Sequence, residues 1–549
     1  MIKENFVEYF EQKIKEFWNL PALSNYEKES ISYQDLAFAI KTMHQIFEKL
    51  KIKNEDKIAL IGKNCVNWGI VYLSTVTYGA TIVPILNNFS NEDLHHILNH
   101  SESKLIFVSD KLTEEIDIDQ LKFCDTLFSL NNFTIVESKK NNNINEFLTK
   151  LLQLNCHDYF NQDDFKFSKK VPNTQLAALL YTSGTTGFSK GVMLTYNSLI
   201  ANILVASKRL LFKKEANMVS FLPLAHAYAC SFDFLYPLTC GNHIHFLDKT
   251  PTPKILLEAF KKYQPHIILC VPLIIEKIYR KMIYPELQKP AIQILLKFSL
   301  TRKILFKKIH NSLMNAFGGR LDELVVGGAA MNKEVESFLR NIGFPFTIGY
   351  GMTECGPLIS YANWHKTKLG SSGQVVDYLE MKIDSTNPYK ITGEIMVKGE
   401  QVTIGYFKNQ SATDDVIDSE GWLKTGDLGI MDSENFVFIK GRSKNVIIGA
   451  SGENIYPEEI EQKINNMQFI MESLVIEKNN NLLALIYPDL EEIDKHQIKD
   501  NKIEEIMKKN KQIINDQLPA HSKIKEFKLV NEPFQKTPTQ KIKRYLYVN

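Results

Sequence analysis

Between Tyr181 and Val192 the chain reads Tyr-Thr-Ser-Gly-Thr-Thr-Gly-Phe-Ser-Lys-Gly-Val, hydroxyls and glycines closed by one lysine. Glycine tolerates the positive φ angles that turn successive N–H groups to one side, hydroxyls add donors, and an ammonium adds charge that competes with water for a polyanion. Thr182, Ser183, Gly184, Thr185, Thr186 and Lys190, fed by the apolar run Leu176-Ala-Ala-Leu-Leu180, therefore suit a phosphate cradle at the end of a strand. A Gly/Ser/Thr surface loop is the plainer alternative. The spacing is not Gly-x-x-x-x-Gly-Lys-Ser/Thr, because Ser189 precedes Lys190 and Gly191 follows it, which disfavours a P-loop kinase or GTPase.

Further segments gain meaning beside such a cradle. Ile348-Gly-Tyr-Gly-Met-Thr-Glu-Cys-Gly356 runs a strand into a glycine turn tipped by Thr353 and Glu354. A carboxylate close to polyphosphate implies Mg²⁺, a hard cation that wants oxygen ligands, and Tyr350 offers a flat face for a purine. Asp427, in Trp422-Leu-Lys-Thr-Gly-Asp-Leu428, suits a pair of ribose hydroxyls, although Gly-Asp alone more often marks an Asx turn in a hairpin. Arg442 and Lys444, in Gly441-Arg-Ser-Lys444, place cations at a change of sequence texture, and Lys536-Thr-Pro-Thr-Gln-Lys-Ile-Lys-Arg544 is basic. Taken singly these are loop cations and a solvated tail.

With 549 residues, 44% hydrophobic and 23% charged, the chain is long enough for at least two cores. Its 65 basic and 63 acidic residues leave a formal charge of +2, so no global field recruits nucleic acid. The seven cysteines stand singly, without a Cys-x-x-Cys pair, and read as reduced thiols of a cytoplasmic protein. The N-terminal Met1-Ile-Lys-Glu-Asn-Phe-Val lacks the apolar core of a signal peptide, and no apolar run approaches the ~18 residues of a membrane span.

Those side chains must be positioned by an α/β fold. Short β-rich runs at 57–61, 80–84, 104–108, 176–180 and 243–247 alternate with helical patterns, as do 266–271, 324–326 and 346–350, which implies largely parallel sheets covered by helices. From about Gly373 to Tyr406 the pattern turns strand-rich, a β subdomain closing the large unit. A capped helix at Tyr456-Pro-Glu-Glu-Ile-Glu461 and a Lys/Glu-rich stretch then announce a small α+β unit. The expected division is 1–442 and 443–549. The Asn-rich segment near Lys139 reads as a surface loop.

In order and approximate spacing, these segments resemble the adenylate-forming superfamily of acyl-CoA synthetases, firefly luciferase and nonribosomal-peptide adenylation domains. Val83-Pro84 with Glu92 and Ile97-Leu98, Leu222-Pro-Leu-Ala-His-Ala-Tyr228, Val326-Gly-Gly-Ala-Ala330 and Gly452-Glu-Asn-Ile-Tyr-Pro-Glu-Glu-Ile-Glu461 extend the match over nearly the whole chain. The resemblance implies ATP, Mg²⁺ and CoA as reactants and cofactor: a carboxylate attacks the α-phosphate, and a thiol then displaces AMP. It assigns Thr182 to Thr186 and Lys190 to the β- and γ-phosphates, and Glu354 with Thr185 to Mg²⁺. Gly328, Ala329, Gly349 and Tyr350 fall to adenine, Thr353 to the α-phosphate, and Asp427 and Arg442 to ribose. Lys541 takes the place of a mobile catalytic lysine, Lys444 that of a hinge, and Ser451-Gly452-Glu453 that of a pantetheine loop. His226 stands where relatives keep a gate beside the acyl carboxylate. Gln540 replaces the family's glycine, and Ile348 replaces a polar residue.

The segment from Ala227 to Tyr236 mixes small and aromatic residues and suits either a greasy tunnel or an ordinary core helix. The stretch from Gly441 to Glu459 looks like bacterial long-chain fatty acid ligases, so the expected acid is a medium to long fatty acid. Transfer to an acyl-carrier protein and a non-catalytic nucleotide-binding regulator are the rival readings; oligomeric state stays open. The basic stretch Lys289 to His310 reads as a core-facing helix pair with a solvated basic side, or as a peripheral contact with the inner membrane face.

Overall fold

The computed structural model describes residues 2–139, 160–167, 169–182, 189–210, 212–449, 453–479, 481–537 and 541–548. The expected α/β alternation produces, among these residues, a seven-stranded sheet in the order Ile135–Ser138, Thr126–Ser129, Ser103–Val108, Lys57–Ile61, Thr81–Ile85, Leu176–Thr182, Lys190–Thr195. Its interior strands are parallel and its two outermost strands pair antiparallel. Runs such as Lys57–Ile61 and Thr81–Ile85 are apolar on both faces because both faces are covered. A second sheet joins Asn217–Ser220, His243–Phe246, Pro21–Asn25 and Ser30–Ser32, and a third, all parallel, joins Ile267–Cys270, Glu323–Val326 and Phe346–Ile348.

The helix Val66–Tyr78 packs against strands of both the first and the second sheet, and almost every residue in it is buried. An all-round apolar helix belongs in the middle of a domain. Its polar members Ser74, Thr75 and Thr77 return their hydroxyl protons to the carbonyls of Ile70, Val71 and Leu73 at 2.6–2.8 Å, so no donor is stranded. Gly79 ends it at φ 89°, the left-handed position that suits glycine. Helix starts are fixed locally. Ser32 and Asp35 form a reciprocal capping box, and Thr195 caps Tyr196–Arg209, the helix that follows the phosphate-loop hairpin.

The strand-rich region is a four-stranded antiparallel sheet of Leu379–Asp384, Gly393–Gly399, Leu423–Met431 and Val437–Arg442. Beyond it, Ile470–Lys478, Asn481–Pro488 and Ile524–Leu529 build a three-stranded sheet with a small core on each face. Strand alternation makes this possible: Val475, Ala484 and Ile486 face the helices Pro457–Ile464 and Asp500–Asp516, while Leu474, Ile476 and Leu485 face Phe534, Ile542 and Tyr547.

Several expectations change. The strand Leu176–Thr182 pairs antiparallel with Lys190–Thr195, an exception to the largely parallel pairing expected. Asp427 lies inside a long strand and not in an Asx turn. The helix at 456 begins at Pro457 with no side-chain cap; proline at its first turn and Glu458 and Glu459 beside the N-terminal dipole serve instead. Ala227 to Leu238 is one buried helical run with a π turn at Cys230–Leu235. In the stretch Lys289 to His310, Ile292, Leu296, Phe306 and Ile309 rest half-buried on the core. The opposite side is not the purely basic one expected, since Ile294, Leu295, Phe298, Leu300 and Ile304 are exposed there.

Candidate active site

The strands Leu423–Met431 and Val437–Arg442 place Asp427 directly opposite Arg442. The Arg442 Nε stands 2.7 Å from Asp427 Oδ1, and the Tyr350 hydroxyl donates to Asp427 Oδ2 at 2.8 Å. Burial raises the carboxyl pKa of Asp427, while Arg442, Tyr350 and Lys541 pull it back. A carboxylate has about four lone-pair positions, so one on each oxygen remains for a further donor. Tyr350 is itself buried and its hydroxyl braces Asp427, a role that its motif did not announce.

Glu354 sits in a single 3₁₀ turn, Thr353–Cys355, whose placement is fixed from three sides. Asn202 donates to the Cys355 carbonyl at 3.1 Å and accepts from the Leu358 N–H at 3.0 Å. Ser231 donates to the Gly356 carbonyl at 3.0 Å, and the Glu354 carbonyl accepts from the Thr403 N–H at 2.7 Å. The tightness of the turn explains Gly351: a Cβ there would lie 2.2 Å from the Pro357 carbonyl oxygen. The Glu354 carboxylate is buried, and its Oε1 accepts the Tyr406 hydroxyl at 2.8 Å. Lys190 lies over the Tyr406 ring at 4.9 Å. Tyr406 thus links the cradle lysine to the carboxylate. The sequence carried no local signal for it, because a tyrosine in Thr-Ile-Gly-Tyr406 is unremarkable until the fold brings it to Glu354.

Thr182 stands opposite Lys190 at the mouth of the hairpin. Ser183, Gly184, Thr185 and Thr186 lie outside the described residues, as do Gly452, Ser451 and Gln540. Gly328 and Ala329 leave the strand Glu323–Val326 exposed, with Gly328 at φ 88°. The Gly349 N–H bonds to the Val326 carbonyl at 2.9 Å, which brings the two glycine segments side by side. Ile348 pairs with Val326 in the same sheet. Thr353 is half-buried, and Lys444 is exposed in the turn Ser443–Asn445.

Lys541 enters this cleft from the small unit. It keeps exposed surface, yet protein crowds its ammonium, and this desolvation together with Arg442 lowers its pKa, opposed by Asp427 and Glu354. His226 shares the space: burial foremost, then the Lys541 charge, holds its pKa down to about 4, so its ring is neutral at pH 7. Lys541 is anchored by its neighbours. Ile542 packs in the small core, and Lys536 pairs with Ile542 through a β-bridge. Arg544 forms an ion pair with the buried Glu461 and donates to the Val475 carbonyl at 3.3 Å, while Lys536 pairs with Glu472. Contacts between the units include Arg280 donating to the Asn465 carbonyl, and Lys281 at 3.4 Å from Glu491.

The arrangement offers cations at Lys190, Arg442 and Lys541 around the carboxylates Asp427 and Glu354, the pattern needed to hold a nucleotide polyphosphate and a second anion. The family profile described as AMP-binding enzyme matches residues 10–407, and that of the AMP-binding enzyme C-terminal domain matches 444–548. The chain belongs to the AMP-binding enzyme family. It is 27% identical over 611 aligned positions to the Arabidopsis thaliana long-chain-fatty-acid–[acyl-carrier-protein] ligase AEE15, covering 94% of this chain and 81% of that one. With the Homo sapiens long-chain-fatty-acid–CoA ligase ACSBG2 it shares 26% over 501 positions, covering 83% and 72%. Among solved structures, the anthranilate CoA ligase AuaEII with anthranoyl-AMP superposes with a TM-score of 0.79 at 16% identity, covering 99% of this chain and 96% of that one. The o-succinylbenzoate CoA synthetase of Bacillus subtilis with ATP and magnesium gives 0.74 at 20% identity, covering 98% of each chain, a likeness of fold. This AMP-binding enzyme has the adenylate-forming fold, a large α/β unit followed by a small C-terminal one. Among its described residues no cluster of three or more His, Cys, Asp or Glu side chains is set to hold a metal.

Proposed function

We propose that the protein activates a medium- to long-chain fatty acid with ATP to the acyl-adenylate, releasing pyrophosphate, and then transfers the acyl group to the thiol of CoA, releasing AMP. The observation that carries this reading is the convergence of Lys541 with Asp427, Arg442, Glu354 and His226 in one cleft. Two anions must meet there, and an ammonium between the attacking carboxylate and the α-phosphate offsets the charge that grows in the transition state. The ribose falls to the free lone pairs of Asp427, with Arg442 beside them; the β- and γ-phosphates fall to Lys190 and the loop it closes.

Glu354 suits one Mg²⁺ position, with phosphate oxygens and water supplying the others, in keeping with a cation that is seldom caged by protein alone. Bound there, Mg²⁺ would neutralise phosphate charge. The neutral His226 adds no repulsion toward Lys541 and leaves a polar wall beside the acid. Gly328, Ala329 and Gly349 present open backbone to the base. Residues 1–442 and 443–549 act as the two working units, with Lys444 as the pivot that withdraws Lys541 before a thiol enters.

A carrier-protein thiol as acceptor is the second reading, favoured by the name and the 94% coverage of AEE15. Release of AMP and pyrophosphate across a fatty-acid series, with CoA or acyl-carrier protein as acceptor, separates the two. Pyrophosphate exchange with none of the acids would overturn both and favour a non-catalytic nucleotide binder.

A further inference from the structure

Among the described residues, the helices Pro290–Lys297 and Ser299–Ala316 gather large apolar side chains on the surface with charge of a single sign. No residue of the first helix is buried, and of the second only Leu313 is. Phe298, at the bend between them, is 62% exposed, Leu300 is 70% and Ile304 is 64%, with Ile294 and Leu295 beside them. Five large apolar groups in water are costly in a region that already uses Ile292, Leu296, Phe306 and Ile309 to rest on the core. The sequence from Leu287 to Leu321 contains no carboxylate, while Lys297, Arg302, Lys303, Lys307 and Lys308 are all exposed. Beside the second helix lies a shallow hollow of about 420 Å³, lined in part by Lys303, Lys307, Phe306, His310 and Asn341. His310 Nδ1 is buried there without a partner.

We propose that this helical hairpin docks the enzyme on a bilayer surface rich in anionic phospholipid. Apolar side chains projecting from a bend insert into the acyl boundary, and a lysine collar meets negative headgroups, one of which fits the hollow. None of Ile294, Leu295, Phe298, Leu300 and Ile304 lines the hollow, and side chains exposed outside a pocket favour a fluid lipid surface over a folded acidic partner. The inference does not depend on the ligase reading. No helix of the described residues is long and apolar enough to cross a membrane, so the contact is peripheral.

Flotation of the full chain with phosphatidylglycerol/phosphatidylcholine vesicles, against phosphatidylcholine alone, tests it. The enzyme should float with the first and not the second, and high salt should weaken binding. Replacing Phe298, Leu300 and Ile304 together by Ser should lower partition by more than ~100-fold. The pair Lys303→Glu and Lys307→Glu should lower it by at least about fivefold per lysine. Both variants should keep the wild-type melting temperature and pyrophosphate exchange with a detergent-dispersed acid. The proposal is overturned if the wild type does not float with anionic vesicles, if neutral vesicles capture it equally, or if the variants float as it does. It is likewise overturned if light scattering shows a dimer that the Ser variant dissolves, or if the variants lose transfer to acyl-carrier protein while flotation persists.

Discussion

Asp427 reaches the cleft on a nine-residue strand inside a four-stranded sheet, with Tyr350 and Arg442 already on its oxygens. Lys541 reaches it next to the β-bridge between Lys536 and Ile542, anchored by the apolar side chain of Ile542 and the ion pairs Arg544–Glu461 and Lys536–Glu472. One side of the site is fixed by the largest core in the molecule, and the other by a sheet with a few residues on each face. Rigidity is useful where a nucleotide must be held through two chemical steps. Under the proposed function the lysine serves the first step and obstructs the second, so it is held firmly within the small unit, whose contacts with the large one include Arg280 to the Asn465 carbonyl and Lys281–Glu491.

The sharpest way to break this contrast is Lys541→Ala. Pyrophosphate exchange should fall by about 10³-fold, the scale of a lost transition-state donor, while thioester formation from supplied acyl-adenylate stays within about twofold. Equal loss of both steps would sink the division of labour. Asp427→Ala tests the fixed side and should impair both steps, because the nucleotide is held throughout. Removing charge-assisted hydrogen bonds to ribose should raise the KM for ATP by about 100-fold. Tyr350→Phe, which leaves the carboxylate but removes its brace, should raise it by less than about tenfold.

The same contrast governs what could be read from the chain. Strands such as Lys57–Ile61 and Glu323–Val326 were legible because burial on both faces leaves continuous apolar runs. Lys190, Glu354, Asp427, Arg442 and Lys541 were legible because charged residues beside glycines form short motifs that resemble a known family. Tyr406 and Glu461 were not, since each acts through a partner far along the chain: Glu354 in one case and Arg544 in the other. The strand Lys190–Thr195 has a fitting composition in Gly191-Val-Met-Leu-Thr195, but its antiparallel pairing with Leu176–Thr182 is set by the fold and by no local run. At Phe298 the sequence leaves two readings open, a core-facing pair and a membrane contact, because period alone places apolar residues on a helix face without saying which faces are covered.

Glu461→Gln probes the anchoring of the movable side. It keeps the shape of the side chain and weakens the pair with Arg544, so pyrophosphate exchange should fall by about tenfold through loosened positioning of Lys541. Thioester formation from supplied adenylate should change by less than about twofold, and Arg544→Lys should give an intermediate loss. If both half-reactions drop in parallel with the melting temperature, Glu461 is a stability residue only.

The smallest effect separates the two regions by pH. In the large unit, burial holds His44 and His245 at about 3 and His226 and His243 at about 4. These folded values lie below the unfolded value of about 6.5, so the unfolded chain takes up protons that the native state refuses. Stability of that unit should fall as pH drops from about 6.5 toward 4, by up to ~1.4 kcal/mol per pH unit for each such group. In the small unit the sign reverses. Burial lifts Glu461 to about 7 despite Arg544, so its contribution is present below the ordinary carboxyl range and is lost as pH rises toward 7. All four tryptophans, Trp18, Trp68, Trp364 and Trp422, precede residue 442, so their fluorescence in urea reports the large unit alone. Hydrogen exchange at Ile470–Lys478, corrected for its intrinsic rate, reports the small one. Between pH 7 and 5 the first should lose stability and the second gain it, and His44→Gln should flatten the fluorescence trend while leaving the exchange trend unchanged.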